Sequence, residues 1–233
     1  IHEISFDYDV DLVIHKDQAL LEHSNGMRFI ALDRNQQVVY EQEYFSIGGG
    51  FILDKAQISQ RKENEGAGAD LVLPYPFSTA RELFEHCIEH KLSISELVMA
   101  NEEVKRSRED VRAEAMEIAN VMRYSIKRGL ITEGVLPGGL NVKRRAPQLY
   151  SKLSNQDLKL VSHQDQRLLA MTYAIAVNEE NAAFRRVVTA PTNGSAGTIP
   201  GVLEYYRNFY LGVTDDKIID FILTAGAIGN LYK

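Results

Sequence analysis

The segment 187–201, VVTAPTNGSAGTIPG, constrains the fold of this chain more than any other stretch. Its glycines allow sharp turns and a close approach to a ligand. Pro200 is suited to the first turn of a helix, where a backbone N–H has no intrahelical partner. The segment therefore predicts a helix beginning near 198–200, with a small polar loop at its positive end that is suited to a carboxylate or phosphate. A tight turn before a packed helix, without any ligand, is the alternative interpretation.

The composition is that of a globular protein and argues against several classes. The 233 residues are 45% hydrophobic and 25% charged, enough for one large domain or two modest ones. A net charge of -6 argues against a nucleic-acid binder. A single cysteine excludes a disulfide framework and predicts a cytoplasmic protein, and no apolar run is long enough for a membrane span. Because the chain starts at Ile1 and ends at Lys233 inside an apolar helical pattern, we expect a piece of a longer protein.

The pattern changes from strands to helices along the chain. Residues 1–53 predict a small antiparallel sheet with three runs at 4–8, 27–32 and 38–40, the first two of which alternate apolar and polar residues, and 11–15 is a further short run. The second and third runs are a candidate hairpin that turns at 33–35. The polar residues that follow predict a linker over 54–77.

Residues 78–233 follow a helical pattern throughout. Capping boxes at Thr79 and Ser93 predict two helix starts, and a long helix is expected to stop at Gly129. A last, largely apolar helix is expected to begin at Thr214, with Gly226 and Gly229 permitting close packing. The fold class expected is therefore α+β, with a sheet domain followed by an all-helical domain.

Several stretches are candidates for chemistry, each with a plainer alternative. His23 sits in an Asn-Gly turn that also suits an ordinary hairpin. The three glycines after Ser46 favour either a flexible linker or a loop that approaches a ligand closely. The basic residues 143–145 either clamp an anion or are solvated, and solvation is the interpretation that the pattern favours. The neighbouring acids 179–180 are suited to acid–base work by type, but neighbours point apart on a helix.

Cys87 falls on an apolar helical stripe with Leu83, Phe84 and Ile88, which predicts a buried structural thiol. One cysteine cannot make a metal site by itself, so no metal ligands are expected within this chain.

Several motifs together resemble one family. TAPTNGSAGTIPGVLEYY, preceded by NEENAA and followed by LTAGAIGNLYK, is similar to the catalytic α-domain of bacterial iron–sulfur L-serine dehydratases of the single-chain type. TEGVLPGGLNVKRRAP, HSNGM and YFSIGGGFI match the same family in the same order. The resemblance covers essentially the whole chain, and agreement of several motifs in order is far more specific than a single TNG loop.

The resemblance implies a fold, an activity and a cofactor. The fold is a small α+β domain, related to the allosteric substrate-binding domain of some phosphoglycerate dehydrogenases, followed by an all-helical catalytic domain. The activity is conversion of L-serine to pyruvate and ammonia by a homodimer. The cofactor is a 4Fe-4S cluster rather than pyridoxal phosphate, with ligand cysteines beyond Lys233. Because the family's ends are missing from this chain, the 233 residues alone are expected to be inactive.

The resemblance also implies site residues. His23 is the candidate base by type, and a group outside these residues is an equal candidate. The substrate-binding candidates are Asn25, Ser46, Gly48, Gly49, Lys143, Thr192, Asn193, Gly194 and Ser195. Family members often carry Ala at the position of Ser195, so its hydroxyl is not expected to be essential.

Two other functions remain open at this point. The first is a cluster-dependent hydro-lyase acting on another small hydroxy acid. The second is a module without catalysis that binds an amino acid or takes part in assembly. A pyridoxal-phosphate enzyme is disfavoured, because no lysine lies in a recognisable Schiff-base context.

Overall fold

The computed structural model describes residues 4–15, 17–47, 52–64, 72–153, 162–189 and 192–232. The chain divides into two compact units, residues 1–69 and residues 70–233. The α+β class expected from the sequence is confirmed, since the first unit holds a small antiparallel sheet and the second is helical. Among the described residues, no helix combines the length and the apolarity that crossing a bilayer requires.

The described part of the first unit is built on an antiparallel sheet in the order β1-β2-β3. Its strands are β1 (Gly26–Leu32), β2 (Val38–Ser46) and β3 (Ile52–Asp54), accompanied by helices α1 (Tyr8–Asp11) and α2 (Lys55–Asn64). The predicted hairpin is confirmed, because β1 pairs with β2. The Asp33 carboxylate makes its turn by accepting the N–H groups of Asn35 at 2.8 Å and Gln37 at 2.9 Å.

Two features of this unit differ from what the sequence predicted. Residues 4–8 and 11–15 do not form strands: no partner strand pairs with either run in the described part of the unit, and α1 occupies Tyr8–Asp11 between them. The stretch 54–77, predicted as a linker, contains helix α2. Asp54 and Gln57 start that helix with reciprocal bonds, in which each side chain accepts the other's backbone N–H, at 2.8 and 2.9 Å. Ile58 then buries its side chain.

The helical unit contains α3 (Ala80–His90), α4 (Ile94–Glu102), α5 (Arg108–Ile131), α6 (Ala146–Leu153), α7 (His163–Ala182), α8 (Thr198–Phe209) and α9 (Asp215–Asn230). The capping boxes predicted at Thr79 and Ser93 are both present. Thr214 caps α9, as its sequence predicted. Helix α5 joins two cores: its first half packs with α4, α8 and α9, and its second half packs with α6 and α7.

The predicted end of α5 at Gly129 is wrong, and the glycine has a different role. The helix continues to Ile131 and ends at Thr132, whose hydroxyl donates to the Arg128 carbonyl at 2.7 Å. A Cβ at Gly129 would lie 2.4 Å from the Ala176 carbonyl oxygen of α7. Gly129 therefore permits close contact between α5 and α7.

Two further expectations fail in the described chain. Leu83 is buried, but Phe84 and Ile88 are 55% and 78% exposed and Cys87 is half-buried, so the apolar stripe of α3 is narrower than predicted. Burial raises the pKa of the Cys87 thiol. At Gly226 and Gly229 no described atom lies within 4 Å of an added Cβ, so neither glycine makes the close packing expected of it there.

Candidate functional site

The end of helix α7 organises the region around residues 192–197, which we call the TNG loop. Its residues Asn178, Glu179, Glu180 and Asn181 are consecutive, and successive residues of an α-helix point about 100° apart. Each of the four side chains therefore reaches a different neighbour, and together they fix the positions of two separate loops.

The two asparagines hold the TNG loop. The Asn178 side-chain oxygen accepts the backbone N–H of Gly197 at 3.2 Å, and the Asn181 amide donates to the Asn193 carbonyl at 3.3 Å. Residues three apart lie on the same face of a helix, so both contacts come from one side of α7. The loop is thus attached to α7 at both of its ends.

Glycines bring the start of α8 close to α7. A Cβ at Gly197 would lie 2.2 Å from the Ala174 carbonyl oxygen, and one at Gly201 would lie 2.9 Å from the Ala170 carbonyl oxygen. Helix α8 begins at Thr198, as the sequence predicted, and the Gly197 cap position supplies no side-chain hydrogen bond. The positive end of α8 therefore lies behind the loop without a side-chain cap.

The loop itself is a single 3-10 turn, Asn193–Ser195, whose residues are solvent-exposed together with Thr192. The Ser195 hydroxyl lies 3.1 Å from the Thr192 hydroxyl and donates to the Thr192 carbonyl at 3.3 Å. The Asn193 side chain makes no hydrogen bond to another described residue, and around Gly194 there is open space. Asn193 therefore presents its amide to solvent, whereas Ser195 uses its hydroxyl within the loop.

The two glutamates of α7 hold the basic loop, residues 143–145, which lies just before α6 in the sequence. Glu180 is buried and forms ion pairs with Arg144, at 2.8 Å, and with Arg128. Arg128 also donates to the Arg186 carbonyl at 3.0 Å. Glu179 accepts the backbone N–H groups of Arg145 at 2.7 Å and of Ala146, the first residue of α6, at 3.3 Å. A carboxylate at this position satisfies N–H groups at a helix start and complements the helix dipole.

The prediction of three solvated basic residues is correct for two of them. Lys143 and Arg145 are exposed, but Arg144 is buried, because Glu180 reaches it from a position 36 residues away in the sequence. A bridge between Val135 and Lys143 closes this loop, and Gly134 and Gly138 adopt φ of 114° and 110°, which side chains rarely allow. Lys143 is thereby held outward, while Arg144 points into the unit.

In the sheet unit, three candidate residues come together at the open end of the hairpin. The Asn25 N–H donates to His23 Nδ1 at 3.1 Å, and the Ser46 N–H donates to the Asn25 carbonyl at 2.9 Å. Because Nδ1 accepts this bond, the proton of the neutral ring lies on Nε2. His23 can therefore take up a proton at Nδ1 only if the Asn25 bond breaks. Gly48 and Gly49 lie outside the described residues.

The sequence did not predict the loop-positioning contacts made by Arg128, Arg144, Asn178, Glu179, Glu180 and Asn181. The available signal was four consecutive polar residues at the end of an apolar helix. Their partners lie between 12 and 52 residues away, and no local rule pairs them.

A four-iron cluster does not fit the residues of this chain. Such clusters are held by several cysteine thiolates, and the sequence has only Cys87. That thiol is half-buried, and its pKa is raised by burial, so the thiolate form is disfavoured there.

Comparison with known proteins identifies the family. Residues 89–233 match the family model described as the serine dehydratase alpha chain, and residues 1–57 match the model described as the serine dehydratase beta chain. The chain is 47% identical over 236 residues to L-serine dehydratase of Streptomyces coelicolor and 45% identical over 232 residues to L-serine dehydratase 2 of Escherichia coli.

A more distant relative, L-serine dehydratase of Helicobacter pylori, is 35% identical over 237 residues. Each of these three alignments covers 100% of this chain and 50% of the relative, so the chain spans about half the length of the curated relatives it matches. Because the alpha-chain model covers more than half of these 233 residues, the chain belongs to the serine dehydratase family.

Proposed function

We propose that this chain is part of an L-serine dehydratase and that its TNG loop anchors the carboxylate of the substrate. The family and the names of the relatives support the reaction class. The observation that carries the anchoring role is the exposed Asn193 amide, in a loop that Asn178 and Asn181 hold through backbone groups just before the start of α8, which has no side-chain cap. Backbone N–H groups at a helix start favour a negatively charged group.

The proposed reaction is an elimination followed by hydrolysis. L-serine loses the proton on its α-carbon and its hydroxyl group, which gives aminoacrylate and water. Aminoacrylate tautomerises to an imine, and water converts the imine to pyruvate and ammonia. The side chains of this chain would hold and orient the substrate, with Thr192, Asn193, Gly194 and Ser195 near its carboxylate. Lys143 is the remaining substrate-binding candidate of the helical unit, whereas Asn25, Ser46, Gly48 and Gly49 belong to the other unit and stay predictions from the sequence.

A 4Fe-4S cluster remains part of the proposal for the longer protein. A cluster iron with an open position would act as a Lewis acid toward the serine hydroxyl. One cysteine cannot hold the cluster. Its ligands would therefore lie in the part of the longer protein that corresponds to the half of the relatives not covered by this chain. The 233 residues alone are accordingly proposed to be inactive.

His23 is the proposed base, subject to release of Nδ1 from the Asn25 N–H. A homodimer in the cytoplasm completes the proposal, and the single cysteine supports that compartment. Two measurements on the full-length protein address these points. Replacing His23 with Gln should remove the acidic limb from the pH profile of kcat/KM, because that limb reports protonation of the base. Sedimentation should give twice the monomer mass.

The anchoring role is tested with Asn193→Ala in the full-length protein. A hydrogen bond to a charged group contributes about 1.5–3 kcal/mol, and about 1.4 kcal/mol is a factor of ten in rate. We therefore expect kcat/KM for L-serine to fall roughly ten- to hundredfold. Iron content should stay unchanged, because Asn193 is proposed to bind the substrate and no metal.

Two further variants sharpen the test. Ser195→Ala should have a much smaller effect, since the Ser195 hydroxyl already bonds to Thr192 within the loop. Asn120→Ala, an exposed asparagine of α5, is the matched control and should keep the original kcat/KM. The anchoring role is wrong if Asn193→Ala behaves like the Asn120 control, or if its activity falls only in proportion to lost iron.

A further inference from the structure

We propose that His86, Glu89 and His90 form a binding site for one divalent transition-metal ion of the zinc class. The three residues occupy the last turn of α3, where positions three and four apart lie on one face. One ligand atom from each side chain lies within 4.8 Å of the others, and His90 Nε2 is 4.0 Å from Glu89 Oε2.

The hydrogen bonding of His86 favours metal binding by this residue. Its Nε2 lies 2.9 Å from the Pro76 carbonyl oxygen, which can only accept, so Nε2 carries the proton of the neutral ring. Nδ1 then has a lone pair, and this buried atom has no hydrogen-bond partner among the described residues. An imidazole that donates one N–H to a backbone carbonyl and offers its other nitrogen has the arrangement usual for metal-ligating histidines.

The surroundings of the two histidines restrict their orientation. The His86 and His90 rings stack with centroids 6.0 Å apart, and the Tyr75 ring contacts both, at 5.9 Å and 5.0 Å. Tyr75 is held in turn by Asn101 of α4, which accepts its N–H at 3.0 Å and donates to its carbonyl at 2.7 Å. Both rings therefore lean on a segment that is fixed to the helical unit.

The donor set determines the class of metal. Two neutral imidazoles and one carboxylate suit Zn²⁺, Co²⁺, Ni²⁺ or Cu²⁺ and provide too few oxygens for Ca²⁺ or Mg²⁺. Ligand atoms at about 2.0–2.1 Å from a tetrahedral zinc ion are roughly 3.4 Å apart, so the three side chains must close by about 1 Å. Glu89 is exposed and can rotate toward the two rings to do so, while His86 and His90 need only small adjustments. A water molecule would fill the fourth position.

The site is tested with the 233-residue chain, free of any histidine tag, by titration with Co²⁺ as the probe. Tetrahedral Co²⁺ absorbs strongly in the visible range, so both stoichiometry and geometry can be read. We expect one equivalent to bind and Zn²⁺ to displace it. His90→Gln should weaken binding at least tenfold, and far-UV circular dichroism should show that this surface variant still folds.

Two controls make the result decisive. His163→Gln changes an exposed histidine of α7 and should bind Co²⁺ as the original chain does. Cys87→Ser removes the neighbouring thiol and should also keep binding. The proposal is overturned if the original chain binds no Co²⁺, if the His163 and His90 variants lose affinity equally, or if Cys87→Ser abolishes binding while His90→Gln does not.

Discussion

Replacing Glu180 with Gln should destabilise the helical unit by several kilocalories per mole. The change keeps the size of the side chain and removes its charge. The Glu180 side chain is 1% exposed and that of Arg144 is 5% exposed, so the guanidinium of Arg144 would remain buried without its counter-charge. Arg128, which is 38% exposed, can turn toward water and should contribute less to the loss.

The magnitude follows from the burial of both partners. Removing one member of a buried ion pair costs about 3–5 kcal/mol, because the other charge stays desolvated. Proteins of this size have about 5–15 kcal/mol of stability. A loss of about 1 kcal/mol lowers the melting temperature of a chain this long by about 2–4 °C, so the melting temperature should fall by roughly 6–20 °C.

Urea unfolding of the 233-residue chain, followed by far-UV circular dichroism, measures the effect. The matched control is Glu117→Gln, since Glu117 and Arg186 form a pair at 3.5 Å with both side chains at least 70% exposed. Exposed pairs contribute less than about 1 kcal/mol. Adding Arg144→Met to Glu180→Gln should restore part of the stability by removing the stranded charge. Equal losses for the Glu180 and Glu117 variants would refute this reasoning.

Two further predictions concern the helical unit. Gly129→Ala should lower the free energy of unfolding by about 1–3 kcal/mol, because the added methyl group overpacks against the Ala176 backbone. Gly226→Ala, in open space within α9, should raise it by up to about 1 kcal/mol through helix propensity. Shifts of the two urea midpoints in the same direction would contradict this. Burial raises the pKa of Tyr173 to about 12, above the usual value of about 10. The neutral phenol therefore stabilises the fold fully below about pH 10, and this contribution is lost as the pH rises toward the folded-state pKa. The original chain should lose stability faster than Tyr173→Phe in that range, and parallel denaturation curves would count against the argument.

Elements governed by local rules could be predicted from the sequence. Alternation and a short Asp-containing turn gave the β1–β2 hairpin, and the residues at Thr79, Ser93 and Thr214 gave three helix starts. The turn and cap contacts that start these elements lie within a few residues of the signal. The start of α8 near Thr198 belongs to the same group, because the glycines and proline that announce it are part of the helix start itself.

The wrong predictions have two physical origins. At Asp54 the local signal was present, but the surrounding polar residues suggested a linker and the reciprocal bonds to Gln57 were overlooked. At Gly129 the local signal was misleading, because a glycine near a helix end also suits a close helix crossing, and Ala176 of α7 decides between the two roles. Arg144 shows the same dependence on a distant partner, since only the fold brings Glu180 to it.

The end of α7 shows why a site is harder to predict than an element. The adjacent acids were expected to point apart, and they do: Glu180 reaches two arginines, and Glu179 reaches the backbone at the start of α6. Both carboxylates are buried and accept hydrogen bonds from guanidinium groups or backbone N–H groups. These contacts fix the positions of loops. The asparagines on either side hold the TNG loop by the same helix turn. A shift of that one turn would therefore move the anion-suited loop and the basic loop together, which makes α7 the element on which the proposed substrate site depends.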